Sequence, residues 1–210
     1  MEVITALRKY NSFLDAEYEL VLGRKGKSKA ITITFDKTCW FHVGGIHYLD
    51  DTDINQNRRS IENFYDEIMS GLITEDYFKK SERYEDITDR LELLSRLDEI
   101  IEGLDNKSVC IYAFSKARTK FYTTIDGNYL ILDLRSTDSP VNLFLVFEKI
   151  DDNTVKPMSV FYSSIDQRTG KSLDFADGQM KYTVLKSIKK NKSSGIFEEI
   201  YRNPNYKEDK

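Results

Sequence analysis

The chain contains few of the residues that build disulfide frameworks or metal sites. Its 210 residues include 2 cysteines, 2 histidines and 3 prolines. Cys39 and Cys110 are too few for a disulfide framework in a protein of this size, and we expect both to be buried thiols in a reducing compartment. His42 and His47 lie near Cys39 in the sequence, but no second paired motif accompanies them. We therefore predict no metal site and no cofactor.

Long apolar runs are also absent from the sequence. No segment approaches the roughly 18 to 20 apolar residues that a membrane-spanning helix requires. The first residues mix charged and apolar side chains, unlike the basic start and apolar core of a secretory signal. These features predict a cytoplasmic protein with no membrane partner.

The sequence has no excess of positive charge. Its formal charge of −4 excludes a protein that coats nucleic acid through a general positive field, because such binding needs many Lys and Arg to meet phosphates. Any nucleic-acid contact is therefore expected to be local. Basic clusters at 24–29, 116–120 and 181–192 offer such contacts, and solvated turns or strand edges are the alternative interpretation.

The apolar content is high enough for the chain to fold as one domain. Hydrophobic residues make up 40% of the sequence, and 13 Tyr and 12 Phe are among them. A chain of this length usually forms a single core. We predict one domain over residues 1–200 and a frayed polar tail over 201–210.

Helical patterns dominate the first half of the chain. Apolar residues recur at helical spacing over 2–18, over 61–71 and over 83–102. Between the first two patterns, β-branched segments at 18–22 and 30–35 flank a Gly-containing turn and predict a hairpin. In the helix predicted at 83–102, the apolar stripe that should meet the sheet contains Ile87, Leu91, Leu94 and Leu97.

From residue 107 the apolar period changes to two, which is typical of strands. The segments VCIYAF, KFYTTI, YLILDL, VNLFLVFEKI and VKPMSVFYSSI predict an antiparallel meander over 107–165, and a further strand is predicted at 180–188. Helices come first and strands follow. The predicted class is therefore α+β, with N-terminal helices packed on an antiparallel β-meander sheet.

The most unusual segment is WFHVGGIHYL at 40–49, because it holds both histidines, the only tryptophan and two adjacent glycines. The sequence has no phosphate-binding glycine loop and no nucleophile elbow. Histidine can move protons near neutral pH, and glycine lets a backbone approach a phosphate closely. A tight turn whose histidines only cap or pack is the alternative.

The order of motifs resembles the fourth subgroup of the phage-associated barnase, EndoU, colicin and RelE-like nucleases. ITITFDKTCWFHVGGIHYL resembles the family's F…HLxGL segment, and PMSVFYSS followed by DFADGQMKYTVLKSIKK resembles its SFF…DYTxGQ…VLKK ending. Between them, YDEIMSGLIT, KSERYEDITDRLELL and VNLFLVF also resemble family segments. The sequence departs from the pattern at Val43, which replaces leucine, and at Ala176 and Asp177, where the family has a hydroxyl.

The resemblance implies a barnase/EndoU/RelE-like fold and metal-independent cleavage of RNA. In that reaction the ribose 2′-hydroxyl attacks the adjacent phosphate and leaves a cyclic phosphate, which requires a base, an acid and groups that stabilise the phosphate. His42 lies at the family's histidine and is the first candidate for proton transfer. Lys116 and Arg118 are candidates for phosphate stabilisation and Ser159 for a hydrogen bond, with solvated-turn and simple strand residues as the alternatives. Candidate RNA-binding residues are His47, Lys120, Lys181 and Lys186.

His47 is not expected to share a phosphate with His42. In a regular helix, five positions correspond to roughly 140° of rotation, so the two rings diverge unless the glycines break the helix. Ser81 and Arg90 also match family positions, and we expect them to tie the helical layer together.

A second function stays open at this point. A non-catalytic phage or mobile-element protein could use the same fold to bind RNA or a host protein, and the acidic balance favours this slightly. A toxin masked by a cognate inhibitor protein is a third possibility, and the sequence does not separate it from the nuclease.

Overall fold

The computed structural model describes residues 1–52, 60–105, 108–134, 142–165, 169–170 and 172–207. Within them, the helices and the strands are each numbered in chain order. The helices are α1 Val3–Asn11, α2 Cys39–Val43, α3 Ile61–Met69, α4 Glu75–Phe78, α5 Thr88–Leu94 and α6 Leu97–Glu102. The strands are β1 Ala16–Arg24, β2 Lys27–Thr34, β3 Val109–Ala113, β4 Tyr129–Asp133, β5 Leu143–Lys149, β6 Thr154–Tyr162, β7 Met180–Asn191 and β8 Phe197–Arg202.

The strands form one sheet in the order β1-β2-β6-β5-β4-β3-β7-β8, and a further pairing joins β1 to β7. That pairing closes seven strands into a barrel, with β8 attached to β7 outside the ring. The prediction of a mixed α+β fold is confirmed, and so are the antiparallel pairings of β3 through β6. The plain meander is wrong, because β7 is 12 residues long and pairs with β1 as well as with β3.

Strands β2 and β6 form the weakest junction of the barrel. They pair in parallel through only two residue pairs, Thr32 with Thr154 and Ile33 with Val155. Beyond that point β6 runs without β2 beside it, and helices α2 and α5 pack against it instead. An uncovered strand edge exposes backbone donors and acceptors, so a covering helix stabilises it. This junction places the WFHVGGIHYL segment against the sheet.

Several predicted elements have different limits in the structure. The opening helix ends at Asn11 and continues as a 3₁₀ turn, because β1 begins at Ala16. The predicted helix at 83–102 is broken into a 3₁₀ turn, α5 and α6, and the Ser95 hydroxyl donates to the Glu92 carbonyl at the break. Strand β8 includes Tyr201 and Arg202, which the sequence assigns to the tail. None of the helices in the described part of the chain is long and apolar enough to span a bilayer.

The segment KFYTTI at 120–125 is an irregular loop and not a strand. It covers a second apolar cluster on the outer face of the sheet, where Phe121 packs edge-on against Phe175 at 4.8 Å. The alternating pattern of this segment therefore reflects one-sided burial without strand pairing. The buried members of this outer cluster are Phe114, Leu130, Leu132, Phe144, Val146, Phe161, Phe175 and Ala176.

The main core lies between the helices and the barrel. All four members of the predicted stripe, Ile87, Leu91, Leu94 and Leu97, are fully buried there. Replacing Leu94 with Asp should prevent folding, because burying an unpaired charge costs several kcal/mol against a typical domain stability of about 5 to 15 kcal/mol. Leu72, which is 79% exposed, provides the matched control: Leu72→Asp should leave the thermal midpoint unchanged. An unchanged midpoint in Leu94→Asp would contradict this packing.

Candidate nuclease site

The two histidines lie side by side because the glycines end helix α2 between them. Gly44 follows α2 in helical conformation, and Gly45 adopts the left-handed conformation with φ 76°. A 3₁₀ turn at Ile46–Tyr48 then starts in a new direction. As a result, the ring centroids of His42 and His47 are 5.1 Å apart. The divergence expected for a regular helix does not occur.

Helix α2 is anchored by its apolar side chains, so His42 is left at the surface. Trp40 is fully buried and stacks on Phe64, with ring centroids 5.9 Å apart and planes 15° from parallel. Phe41 and Val43 are also buried, whereas His42 is exposed. The amphipathic pattern of this short helix therefore fixes which side chain meets solvent.

His47 is oriented by contacts on two sides. Its Nδ1 lies 3.3 Å from the Phe41 carbonyl oxygen, and its ring packs on the Tyr48 ring at 4.1 Å. A carbonyl only accepts hydrogen bonds, so Nδ1 carries the proton and the neutral ring has its lone pair on Nε2. This is the tautomer required for a base acting through Nε2.

Arg90 supplies a partly buried positive charge next to His47. Its Nη1 donates to Ser159 Oγ at 3.3 Å and its Nη2 to the Tyr48 hydroxyl at 3.4 Å, and its guanidinium lies 5.0 Å from the Tyr48 ring centre. Burial lowers the Arg90 pKa from its usual value. Within the described part of the chain, no carboxylate pairs with Arg90. Partial burial of a cation without a carboxylate carries a desolvation cost, which a bound anion would reduce.

A second cation, Lys156, lies close enough to His42 to affect its pKa. Lys156 Nζ is 3.5 Å from Glu148 Oε1 and 3.7 Å from Asp36 Oδ2. The charges of Lys156 and Glu148 both act on His42. The Arg90 guanidinium therefore acts on His47, and the Lys156 ammonium, which also contacts two carboxylates, acts on His42.

The pKa of each histidine is lowered from its usual value of 6.5. For His42 the main cause is partial burial; Glu148 raises its pKa, and Lys156 lowers it further. For His47 the main cause is again burial; the Phe41 carbonyl raises the pKa, and the charges of His42 and Arg90 lower it. Both imidazoles are therefore neutral at pH 7. A bound phosphate would favour protonation of whichever ring it touches.

The nearby cysteine is a poor nucleophile. Burial raises the pKa of the Cys39 thiol to about 12, and its Sγ lies 3.4 Å from Asp36 Oδ1. Cys39 and Cys110 are both buried thiols and form no disulfide. No group of three or more His, Cys, Asp or Glu with metal-binding geometry occurs among the described residues.

Of the other predicted site residues, the structure brings only Ser159 to the histidines, through Arg90. Lys116 and Arg118 lie in a 3₁₀ turn after β3, which is three strands from β6, or about 14 Å at the usual strand spacing. Lys120 pairs with Asp177 at 2.6 Å, Lys186 with Glu199 at 3.9 Å, and Lys181 is exposed on β7.

The DFADGQ motif supports that distant turn. The Gln179 side chain accepts a hydrogen bond from the Ser115 backbone nitrogen at 3.0 Å and donates one to the Ser115 carbonyl at 3.1 Å. This pairing explains why a glutamine follows the glycine in the motif. Because Ser115 directly precedes the turn of Lys116, the motif lies beside that turn and not beside the histidines.

Sequence reasoning missed Tyr48 and Lys156 and gave Arg90 only a structural role. The match of Arg90 to a family position could have identified it as a site residue. Tyr48 could have been identified because it follows His47 directly in the sequence. The Ser81 hydroxyl donates to Asp51, and this bond joins the segment after the histidines to the connection between α4 and α5. Nothing in the sequence separates Lys156 from the other lysines, since its position depends on the β5–β6 hairpin.

Comparison with known proteins identifies the family of the chain. The sequence model of one family, described as phage-Barnase-EndoU-ColicinE5/D-RelE like nuclease 4, matches residues 2–204. No curated protein and no solved structure matches the chain. The match covers nearly the whole sequence, and family membership supports a nuclease function and contact with nucleic acid in general. The chain belongs to the phage-Barnase-EndoU-ColicinE5/D-RelE like nuclease 4 family.

Proposed function

We propose that this protein is a metal-independent endoribonuclease in which His42 and His47 transfer the protons. The observation that carries the proposal is the contact between the two imidazoles, whose ring centroids are 5.1 Å apart, beside a partly buried guanidinium that no described carboxylate neutralises. A neutral imidazole as the base, a protonated imidazole as the acid and a phosphate-binding cation are the groups that 2′-hydroxyl attack requires.

The roles of the two histidines follow from their surroundings. His47 acts as the base, because its Nδ1 bond to the Phe41 carbonyl places the lone pair on Nε2 and Arg90 disfavours its protonation. His42 acts as the acid, because it is exposed and the Glu148 carboxylate favours its protonated form. The Nε2 of His47 takes the proton of the 2′-hydroxyl while the 2′-oxygen forms a bond to phosphorus.

Cleavage is complete when the bond from phosphorus to the 5′-oxygen breaks. His42 donates a proton to that oxygen, so the products are a 2′,3′-cyclic phosphate and a 5′-hydroxyl. Arg90 and Lys156 stabilise the charge on the phosphate oxygens, and Ser159 and Tyr48 hold the guanidinium in place. Fixed cations of this kind stabilise a transition state without reorganisation at the moment of reaction.

Single substitutions of the histidines test the proposal. A positioned acid or base contributes roughly 10² to 10⁴-fold in rate, so His42→Ala and His47→Ala should each lose about that much kcat on an RNA substrate. The double variant should lose little more than either single variant, because the two groups act as a unit. His42 is exposed, so His42→Ala should keep its thermal midpoint.

Lys116→Ala provides the control, since Lys116 lies three strands from β6. It should change kcat by much less than either histidine variant. If His42→Ala cuts RNA as fast as the parent, the catalytic role is wrong. In that case a non-catalytic RNA-binding or host-protein-binding role becomes the better account.

Gly45 should be required for the arrangement of the site. A Cβ there would lie 2.7 Å from Arg90 Cδ, and the left-handed backbone adds about 1 to 2 kcal/mol for any other residue. Gly71 has a similar φ of 81° but nothing within 4 Å of its Cβ position. Gly71→Ala should therefore lose only the stability that the left-handed backbone costs, about 1 to 2 kcal/mol, and should keep its activity. Gly45→Ala should lose more stability, by about 1 to 3 kcal/mol from crowding, together with RNA cleavage. Equal effects of the two variants would contradict the role of Gly45.

The pH profile distinguishes the acid from the base. Since both pKa values are lowered, kcat/KM should be bell-shaped with its optimum below pH 6.5. Its alkaline limb reports loss of the proton from His42. Glu148→Gln removes a charge that raises the His42 pKa, so this limb should move to lower pH, and Lys156→Gln should move it to higher pH. Shifts confined to the acid limb would reverse the two assignments.

A further inference from the structure

The tip of the β1–β2 hairpin forms one wall of a groove of about 510 Å³ that lies away from the histidines. The hairpin wall runs over 23–28, Thr183 and Leu185 of β7 form the floor, and residues 205–207 form the opposite wall. A backbone hydrogen bond from Asn203 to Leu185 at 2.9 Å ties the opposite wall to β7. The groove is therefore made by three connected parts of the barrel.

The charges of this groove are of one sign. Its lining includes Arg24, Lys25, Lys27 and Lys207, and no lining residue is acidic. Among the described residues, none of these four side chains forms an ion pair. The chain carries a formal charge of −4, and many of its other cations pair with carboxylates, as Lys120 does with Asp177. An unneutralised cluster of this kind produces a local positive potential that attracts polyanions.

The remaining lining residues suit a nucleic-acid strand. Ser28, Thr183 and Asn205 provide uncharged hydrogen-bond donors, and Tyr206 adds an aromatic ring. Cations along a groove and an aromatic side chain are the two features by which single strands are bound without sequence preference. Lys29 does not take part, because its ammonium turns toward the rings of Tyr129 and Tyr182, at 4.4 and 4.5 Å from their centres.

The cations of the hairpin turn lie far from the candidate nuclease site. Lys25 and Gly26 both have positive φ, 49° and 74°, as a tight two-residue turn requires. This turn lies at the far end of β2 from helix α2. The eight residues of β2 separate the two ends by roughly 25 Å. A ligand that reaches both places must therefore be an extended chain.

We propose that this groove binds the sugar-phosphate backbone of a single-stranded part of the RNA, away from the phosphate that is cut. The proposal rests on the proposed ribonuclease function for the identity of the ligand. It assigns to the basic hairpin a role in holding long substrates. A substrate that contains only the scissile phosphate does not reach the groove.

The test compares two variants of the full chain with equal loss of charge. The groove variant carries Arg24→Gln, Lys25→Gln and Lys27→Gln. The control variant carries Arg8→Gln, Lys9→Gln and Lys80→Gln, at exposed positions on and near α1 and α4. The probe is a single-stranded oligonucleotide with 2′-O-methyl groups, which has no 2′-hydroxyl and is not cleaved by the proposed reaction. Its Kd is measured over a range of salt concentrations.

The groove variant should bind this strand at least about tenfold more weakly at low salt. The slope of log Kd against log salt concentration should fall by about 0.7 for each phosphate that no longer contacts a cation. The Kd and the slope of the control variant should stay close to those of the parent. On a dinucleotide substrate, the groove variant should keep the parent's kcat/KM, while its KM for long RNA should rise.

Equal weakening in the groove and control variants would overturn the proposal, because it would show only a general charge effect. Binding of the parent to phosphatidylserine vesicles through these residues, without binding to the strand, would overturn it in favour of a lipid surface. The proposed ribonuclease function fails separately. A parent that binds the 2′-O-methyl strand through the groove but does not cut RNA would contradict only that function.

Discussion

The short junction between β2 and β6 is the constraint from which the candidate site follows. Two residue pairs close this side of the barrel, and the rest of β6 is covered by helices α2 and α5. A strand edge in this position is stabilised when it is covered, and the helices that pack against β6 carry the candidate reactive groups. Helix α2 brings His42, and helix α5 brings Arg90 to Ser159 of β6. The site therefore lies where the barrel is least complete.

The electrostatics of the site point to an anion. The Arg90 guanidinium is partly buried between the Tyr48 and Ser159 hydroxyls, and no carboxylate in the described part of the chain offsets the cost of its desolvation. Partial burial of the two histidines lowers the pKa of each imidazole, so both are neutral at pH 7. Phosphate binding would lower the cost of the buried guanidinium and also favour protonation of one imidazole. In the proposed mechanism, substrate binding and the protonation state of the pair are therefore coupled.

Periodicity predicted most elements of the fold, and the site only in part. The apolar stripe of Leu91 and Leu94 identified the helix that packs on the sheet, and alternation identified β3 through β6. Closure of the barrel was not predictable, because the pairing of β1 with β7 joins distant segments that have no common signal in the sequence. His42 was identified from its motif. The short distance between its ring and that of His47 depends on the left-handed conformation of Gly45, which spacing alone does not reveal.

The central claim is that the His42–His47 pair cleaves RNA through the ribose 2′-hydroxyl without a metal ion. The most direct measurement is end-group analysis of the products formed when the purified protein is incubated with total RNA in excess EDTA. We predict undiminished cleavage, with 2′,3′-cyclic phosphate and 5′-hydroxyl ends at early times. Products with 5′-phosphate ends, or cleavage that EDTA abolishes, would contradict the claim.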